Sequence, residues 1–339
     1  MRPRLKAAAF GAVVVLVAGS STAYALGEFS RTHAREHRAP TVQTATLASI
    51  GSAPRVVFRH TGLDAEYGHV AEVGLSDPSG PRAFTSVSCD RVYARANDAS
   101  CLVTKRGVVT RYQAVDLDQS WKTLDTTSLP GLPSRTRLSP DGTLVSSTVF
   151  VNGDSYMTTG FSTRTVIRHV NGASYGNLEG FTLVLDGRRV APVDRNIWGV
   201  TFAPDDETFY ATVSTGGRTY LVKGSLSRRT LTSVADTVEC PSLSPDGTRI
   251  AFKQVRHDKS RGSWWTPAVL DLATGKRTVL TRETHNVDDQ IEWLDDDTIL
   301  YGLARDDEPG VTDVWSLDTT PGAQPRLFIP EAWSPAVVR

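Results

Sequence analysis

A six-residue string that occurs twice constrains the fold of this chain more than any other feature. Leu-Ser-Pro-Asp-Gly-Thr is found at 138–143 and again at 243–248, and a strand-forming run follows each copy. Proline cannot donate to a β-ladder and Asp-Gly favours a tight turn, so each copy predicts two strands joined by a turn. The turn residues are Ser139, Pro140, Asp141, Gly142, Ser244, Pro245, Asp246 and Gly247. We interpret the repeat as a structural unit that recurs along the chain.

Relaxed copies of the string follow at intervals typical of a propeller blade. Each keeps an apolar lead residue before the turn; the leads are Tyr93, Leu138, Phe202, Leu243, Trp293 and Trp333. Consecutive leads are 40 to 64 residues apart, in the range of a four-stranded blade. No stretch after residue 54 shows sustained helical periodicity. The sequence therefore predicts an all-β fold, a six-bladed β-propeller with four-stranded antiparallel blades.

One blade is predicted to be shared between the two ends of the chain. Residues 55–85 carry three strands without a lead strand before them, whereas residues 333–339 supply a lead strand alone. Pairing of these segments would close the ring and leave no long exposed edge. Outer hairpins predicted at 114–124, 269–280 and 314–328 support the same period.

The N-terminal segment is typical of an export signal. Basic residues precede an apolar run, and Ala23-Tyr24-Ala25 fits a small-x-small cleavage site. Residues 1–25 are predicted to be a signal peptide, or alternatively a retained membrane anchor, because the uncharged run is about long enough to span a bilayer. Residues 26–54 are predicted to be a flexible stalk and residues 55–339 the propeller. In both cases the chain is exported, and is either secreted or anchored to the cytoplasmic membrane.

Cysteine usage agrees with an oxidising compartment. Cys89 and Cys101 lie twelve positions apart, on two predicted short strands joined by a turn at 96–98. Cysteines on facing strands can reach bridging distance, so we predict a disulfide between them. The alternative is three small buried thiols. Cys240 is predicted to stay reduced as a buried apolar residue.

Charge and motif content argue against nucleic-acid binding and against catalysis. The 37 basic residues balance the 37 acidic ones and form no long basic run. One G-x-S-x-G string, at 172–176, centres on Ser174, but a nucleophile elbow needs a helix after it and the next residues predict a strand. We therefore predict no catalytic residue and no cofactor.

No metal site is predicted either. The seven histidines show no metal-ligand spacing, and His33 and His37 fall in the predicted stalk. An acidic run lacks the alternating oxygen ligands of a calcium loop, so its members are interpreted as solvated turn acids. These acids are Asp288, Asp289, Glu292, Asp295, Asp296 and Asp297.

The repeats resemble the TolB-type, WD40-like (PD40) six-bladed β-propeller family of exported bacterial proteins. The resemblance covers residues 55–339 and rests on the two complete Ser-Pro-Asp-Gly copies. The stretches at 238–253 and 288–301, and the end at 333–339, are also similar to a TolB-like subgroup described as translocation-type proteins. Residues 26–54 are too short and too polar for the separate N-terminal α/β domain of the best-known members. Fold analogy of this kind does not establish a function.

The mouth of the ring's central channel is the candidate binding surface, because loops that enter the lead strands converge there. The candidates are Arg135, Asn196, Trp198, Glu239, Asp288 and Asp289. The alternative interpretation is that these are ordinary loop residues.

Two functions are compatible with the sequence. The first is a monomeric, non-enzymatic exported propeller that binds a protein, peptide or glycan in the cell envelope. The second is a propeller enzyme with a metal-dependent or hydrolytic centre at the mouth. Mixed charge beside an aromatic ring favours a polar ligand.

Overall fold

Six sheets, in which antiparallel pairing predominates, form the described body of the molecule. The structure, a computed structural model, describes residues 17, 19–27, 29–30, 37–151, 162–258 and 262–339. Most of the predicted signal segment, including residues 1–16, therefore lies outside the described residues. Among the described helices, none combines the length and the apolar character needed to cross a membrane. The helix α1 (Leu47–Ile50) and one 3₁₀ turn (Leu178–Gly180) are short elements beside the sheets.

The strands follow one another in chain order as blades of the ring. Blades 1 and 2 contain β1 (Thr44–Ala45), β2 (Arg55–His60), β3 (His69–Gly74), β4 (Arg82–Ser88), β5 (Arg91–Ala94), β6 (Asp98–Lys105), β7 (Arg111–Asp118) and β8 (Thr123–Leu129). Blades 3 and 4 contain β9 (Leu132–Leu138), β10 (Leu144–Val151), β11 (Ser162–His169), β12 (Ser174–Asn177), β13 (Thr182–Leu185), β14 (Arg188–Val190), β15 (Asn196–Phe202), β16 (Thr208–Thr215), β17 (Arg218–Ser225) and β18 (Thr230–Asp236). Blades 5 and 6 contain β19 (Glu239–Leu243), β20 (Arg249–Asp258), β21 (Gly262–Asp271), β22 (Arg277–Val279), β23 (Glu292–Trp293), β24 (Thr298–Ala304), β25 (Thr312–Asp318) and β26 (Arg326–Ile329), and β27 (Ala332–Val338) completes blade 1.

Blade 1 joins the two ends of the propeller, which confirms the predicted closure. Strand β27 is innermost and pairs antiparallel with β2, so that Val337 lies opposite Val56 and Ala336 opposite Val57. Strands β3 and β4 then follow outward from β2. All four of these paired residues are buried. Strand β27 thus pairs with the inner edge of β2, which would otherwise be open and apolar.

The Ser-Pro-Asp-Gly repeats form the turns between first and second strands, as predicted. In blade 3 the Ser139 hydroxyl donates to Asp141 Oδ1 at 2.5 Å, and that oxygen also accepts the backbone N–H two residues later at 3.0 Å. Gly142 has a φ of 84°, which suits glycine. Ser244 and Asp246 repeat the 2.5 Å contact in blade 5. The acids of the motif therefore stabilise turns.

Five of the six predicted leads lie at or near the end of an innermost strand. The four that are the last residue of their strand are Leu138, Phe202, Leu243 and Trp293. Tyr93 is the third of the four residues of β5. The prediction for Trp333 is wrong in register, because this residue is the second of β27 and lies at the opposite end of its strand. The following Ser-Pro occupies a bulge inside the strand, where Ser334 has a φ of 57°.

Innermost strands of blades 1, 4 and 5 share this bulge near their start. Ser334, Gly199 and Cys240 have φ values of 57°, 67° and 49°, and the strand register shifts beside each of them. A bulge re-aims the side chains next to it. The residues immediately before the three bulges are Trp333, Trp198 and Glu239. Trp333 therefore occupies the same level of the ring as two of the predicted mouth residues.

Two features depart from the simple pattern of six four-stranded blades. Strand β1 pairs in parallel with β4, and the backbone N–H of Arg82 donates to the carbonyl of Gln43 at 2.8 Å. Part of the segment 26–54, predicted as a flexible stalk, is therefore docked on blade 1. The hairpin of β13 and β14 lies between blades 3 and 4 in the chain and extends blade 4 to six strands, because β13 pairs in parallel with β18.

The predicted disulfide is present. Cys89 and Cys101 are bonded, with their Cα atoms 5.5 Å apart. Cys89 precedes β5 and Cys101 lies on β6, so the bond ties the entry to blade 2 to its second strand. Cys240 is buried and free.

Candidate functional site

All six predicted binding residues lie toward one end of the ring. We call the end at which the innermost strands begin the upper face, and the end at which they finish the lower face. The residues on strands β9, β15 and β19, or in the loop before β23, are Arg135, Asn196, Trp198, Glu239, Asp288 and Asp289. They therefore lie at the upper end of the central channel, which we call the upper mouth.

Asp288 is an exposed carboxylate held between two cations. Lys253 Nζ lies 2.5 Å from Asp288 Oδ1, and Arg135 Nη2 lies 3.9 Å from the same oxygen. The Asp288 side chain is 57% exposed, whereas that of Lys253 is 4% exposed. Arg135 belongs to blade 3, Lys253 to blade 5, and Asp288 to the loop entering blade 6. Three blades thus hold one carboxylate at the mouth.

The network continues from Lys253 to Glu239 through a tryptophan. Lys253 Nζ lies 4.9 Å from the centroid of the Trp265 ring, a cation–π distance. Trp265 Nε1 donates to Glu239 Oε2 at 3.0 Å. Burial raises the pKa of the Glu239 carboxyl, although the charge of Lys253 and the hydrogen bond from Trp265 lower it in part. Neither Lys253 nor Trp265 was predicted, because they lie on the second and third strands of blade 5, β20 and β21.

Asp289 lies below the surface of the mouth, so its predicted role as a contact residue needs correction. Its side chain is fully buried and lies 2.9 Å from Arg91 Nη1. Its second oxygen accepts the backbone N–H of Gly302 at 3.1 Å. Arg91 in turn stacks on the Trp333 ring at 4.8 Å. Asp289 therefore holds the guanidinium of Arg91, which in turn stacks on the Trp333 ring.

Asn196 and Trp198 lie on the opposite side of the network, on the first strand of blade 4. Asn196 Oδ1 accepts the backbone N–H of Thr163 at 2.8 Å, and its Nδ2 donates to the Asp194 carbonyl at 3.3 Å. The amide therefore joins blade 4 to blade 3. Trp198 is half-buried. Of these two candidates, the tryptophan is the one with a side-chain surface suited to contact.

Below the mouth, a buried cluster crosses the channel. Arg137 Nη1 lies 3.0 Å from Glu292 Oε2, and Tyr93 donates its hydroxyl proton to Glu292 Oε1 at 3.1 Å. Arg137 also donates to the carbonyl of Ile291 at 2.8 Å. Burial raises the pKa of Tyr93, which keeps its hydroxyl a donor. This central cluster, Tyr93, Arg137 and Glu292, comes from blades 2, 3 and 6 and separates the upper mouth from the lower end of the channel.

The acidic run at 288–297 is divided between the two faces. Asp288 and Asp289 precede β23, whereas the last three acids follow it in the lower turn. There Asp295 Oδ1 accepts the backbone N–H groups of Asp297 and Thr298 at 2.9 and 2.7 Å. The carboxylates of this run therefore do not converge on one ion, and Asp295 serves a turn as predicted.

One group of ligand-type side chains was not predicted. Ligand atoms of His60, Asp64 and Glu331 lie within 4.8 Å of one another in blade 1 and its entry loop. Arg82 Nη1 lies 2.8 Å from His60 Nδ1, and His60 Nε2 lies 3.0 Å from Asp64 Oδ2. Because arginine only donates, Nδ1 accepts and Nε2 carries the proton toward Asp64. In this tautomer the nitrogen that faces the carboxylates carries a proton and offers no lone pair to a metal, so the contacts of His60 with Arg82 and Asp64 are hydrogen bonds of a structural cluster.

Ser174 is the first residue of β12, the outermost strand of blade 3. Its hydroxyl donates to the carbonyl of Ile167 at 3.4 Å and accepts the backbone N–H of Gly176 at 2.9 Å. A 3₁₀ turn follows the strand. The residue therefore does not sit on a strand-to-helix elbow.

Comparison with known structures agrees with this architecture. TolB from Acinetobacter baumannii superimposes with a TM-score of 0.58 and 17% identity, over 84% of this chain and 66% of that one. The fold is that of a TolB-like six-bladed β-propeller. No family model matches the sequence.

Two peptidases also share similarity with parts of the TolB-like propeller. Dipeptidyl-peptidase 5 from Porphyromonas gingivalis is 29% identical over 150 residues, which are 44% of this chain and 20% of that protein. A puromycin-hydrolyzing peptidase from Mycobacterium tuberculosis gives a TM-score of 0.48 with 14% identity, over 78% of this chain and 42% of that one. The region matched here thus spans about a fifth of dipeptidyl-peptidase 5 and just under two thirds of the Acinetobacter TolB.

Proposed function

We propose that this chain is an exported, non-enzymatic binding module whose upper mouth recognises a polar segment of a protein partner in the cell envelope. The observation that carries the proposal is the placement of Asp288. Its carboxylate is more than half exposed, yet Arg135 and Lys253 hold it in place from two other blades. A charged group that is both accessible and fixed loses little conformational entropy when it binds.

Aromatic side chains add the second element of such a surface. Trp198, Trp265 and Trp333 are each half-buried and come from blades 4, 5 and 1. Tryptophan and arginine are enriched among residues that carry most of the energy at protein interfaces. The rigid closed ring keeps these groups in place before a partner arrives, which favours recognition by the mouth.

The proposal also includes that the chain is exported and that it acts as a monomer. The basic n-region and the Ala23-Tyr24-Ala25 site support export, with secretion or anchoring to the cytoplasmic membrane as the two outcomes. The Cys89–Cys101 disulfide fits an oxidising compartment. The partner is proposed to be a protein or peptide, and a glycan is the alternative that the experiment below distinguishes.

An enzymatic role is the second candidate, and the similarity to dipeptidyl-peptidase 5 favours it. The matched region is a small part of that protein, so the similarity concerns propeller sequence more than a complete peptidase. Labelling of the purified chain by a serine-directed fluorophosphonate at Ser174 would support this candidate.

The experiment that tests the binding proposal leaves Asp288 in place and puts a photo-crosslinking amino acid at Thr284, an exposed residue of the same loop, and, as control, at Leu327. Leu327 is 51% exposed on the outermost strand of blade 6. Illumination in isolated cell envelopes should yield a discrete adduct from position 284 and none from position 327. After tryptic digestion of the adduct, a linked peptide from a second protein indicates a protein partner, whereas a linked sugar mass indicates a glycan.

A matched pair of charge reversals tests the role of the carboxylate itself. Asp288→Lys is compared with Asp297→Lys, because Asp297 is also exposed and paired with one cation, Arg249, but lies at the lower face. The first variant should lower affinity for the crosslinked partner at least about tenfold, or about 1.4 kcal/mol. Equal affinity of the two variants, or adducts from position 327 alone, would exclude the upper mouth as the binding surface.

A further inference from the structure

The lower end of the channel is a cavity in its own right. Its volume is about 280 Å³, and residues from all six blades line it below the central cluster. That volume is just under the range of roughly 300–1,000 Å³ typical of pockets for drug-sized ligands, so it suits a smaller molecule. We call this space the lower cavity.

The repeat that builds the blades also gives the lower cavity two different sides. In blades 3, 4 and 5 a proline follows two residues after the lead; these prolines are Pro140, Pro204 and Pro245. All three line the cavity. In blade 2 the same position carries Arg95, two residues after the lead Tyr93. In blade 1 Val337 takes the place of the lead on β27, and Arg339 follows two residues later. Blades 1 and 2 face blades 4 and 5 across a six-bladed ring, so a basic side faces an apolar side.

The basic side has more positive charge than the protein compensates. Three arginine side chains line the cavity, Arg95, Arg137 and Arg339, and Glu292 supplies the one acidic side chain among its lining residues. Arg137 already forms the 3.0 Å ion pair with that carboxylate. Arg95 lies 3.8 Å from it, too far for a direct hydrogen bond. The cavity therefore holds guanidinium groups whose charge an added anion would balance.

Arg95 also has hydrogen-bonding capacity left over. Its Nη1 donates to the carbonyl of Val337 at 3.3 Å and its guanidinium stacks on Tyr93 at 4.9 Å. Its Nε is buried and has no hydrogen-bond partner among the described residues. Unsatisfied buried donors are rare in proteins and call for an explanation. A carboxylate is the group that best matches an arginine with free donors.

We propose that the lower cavity binds a carboxylate carried on a short apolar body, with Arg95 and Arg339 at the carboxylate and the three prolines at the apolar end. This inference does not rest on the proposed function, because it concerns the opposite face of the ring. The shared chemistry is found in small aliphatic acids and in the free C-terminus of an apolar peptide.

Three probes of matched structure test the two halves of the ligand separately: hexanoate, hexanamide and acetate. Hexanoate has both the charge and the apolar body, hexanamide only the body, and acetate only the charge. In isothermal titration the wild-type chain should bind hexanoate at least about tenfold more tightly than either of the others. Hexanoate binding no tighter than that of hexanamide would overturn the proposal. A peptide ending in leucine, with a free or an amidated C-terminus, then distinguishes the two sources.

Variants assign the site. Arg95→Gln and Arg339→Gln should each weaken hexanoate binding severalfold, whereas Arg218→Gln, at an exposed arginine of blade 4, should leave it unchanged. Arg339 is exposed, so its variant decides the question if Arg95→Gln fails to fold. Pro204→Ser should reduce the advantage of hexanoate over acetate. Equal binding by the Arg339 and Arg218 variants would overturn the assignment, and Asp288→Lys should leave hexanoate binding intact.

Discussion

The guanidinium of Arg91 lies 2.9 Å from the carboxylate of Asp289, although the two residues are 198 positions apart in the chain. Arg91 begins blade 2 and Asp289 precedes blade 6, so the pair spans the inner strand of blade 1. The central cluster joins blades 2, 3 and 6 in the same way. Ion pairs between non-adjacent blades thus fix the shape of the upper mouth.

The first prediction concerns this pair. Asp289→Asn should lower the free energy of unfolding by about 3–5 kcal/mol, because it leaves the Arg91 charge buried without its partner. Asp297→Asn is the control, because that carboxylate is 77% exposed and its partner Arg249 is not buried, and it should change the free energy of unfolding by less than about 1 kcal/mol. Urea unfolding followed by tryptophan fluorescence measures both. Similar losses of unfolding free energy in the two variants would mean that the burial of Asp289 does not determine how much it stabilises the protein.

The second prediction concerns the disulfide. Replacing both Cys89 and Cys101 by alanine should cost roughly 2–3 kcal/mol, since the bond closes a short loop in the unfolded chain. Peptide mapping without reduction should recover the two cysteines in one linked peptide. Cys240 is buried, so iodoacetamide should modify it only after unfolding. A linked peptide that contains Cys240 would contradict the assignment.

The blades could be predicted from the sequence because their signal is local. Leu138 and Leu243 are followed by turn residues whose chemistry alone specifies a hairpin, and both end an innermost strand as predicted. Trp333 was misplaced because Ser-Pro also suits a bulge, and two residues do not distinguish a bulge from a turn. The interval between Leu138 and Phe202, the longest between leads, contains the hairpin of β13 and β14, which was not predicted.

The contacts of the site could be predicted only in part. Arg135 lies on the innermost strand of blade 3 and Asp288 in the loop before that of blade 6, and such positions can be inferred from the sequence because the lead residues mark the innermost strands. Their partner Lys253 was missed because it lies on a second strand, and only the register of blade 5 turns it toward the channel. Burial of Asp289 depends on contacts from a distant blade, which no local pattern records.

The third prediction tests the packing beneath the mouth. A Cβ added to Gly302 would lie 2.3 Å from a ring carbon of Trp333 and 2.8 Å from Asp289 Oδ2. Gly302→Ala should therefore displace the indole and cost about 1–3 kcal/mol. Gly180→Ala is the matched control, because nothing lies within 4 Å of its added Cβ. Thermal unfolding measures the loss, and equal melting temperatures would show that the Trp333 ring moves aside freely.

The fourth prediction concerns pH. Burial lowers the pKa of His60 below its usual value of 6.5. The charge of Arg82 also lowers this pKa, whereas Asp64 raises it. Above pH 6.5 His60 is neutral in both the folded and the unfolded chain. As the pH falls below 6.5, the unfolded chain binds the proton before the folded chain does, so the free energy of unfolding decreases. Urea midpoints at pH 7.5 and 5.5 should differ less in His60→Gln than in the wild type. An unchanged difference would assign the pH dependence to other groups.

The last prediction concerns ring closure. Deleting residues 333–339 removes most of β27, exposes the apolar edge of β2, and opens the ring at blade 1. Cooperative unfolding should be lost. Deleting residues 1–45 also removes a strand of blade 1, but β1 is a two-residue outer strand whose described side chains are not buried, so cooperative unfolding should persist. A synthetic peptide of residues 332–339 should restore the melting transition of the first variant. If that variant unfolds as cooperatively as the second, pairing of β2 with β27 does not hold the ring closed.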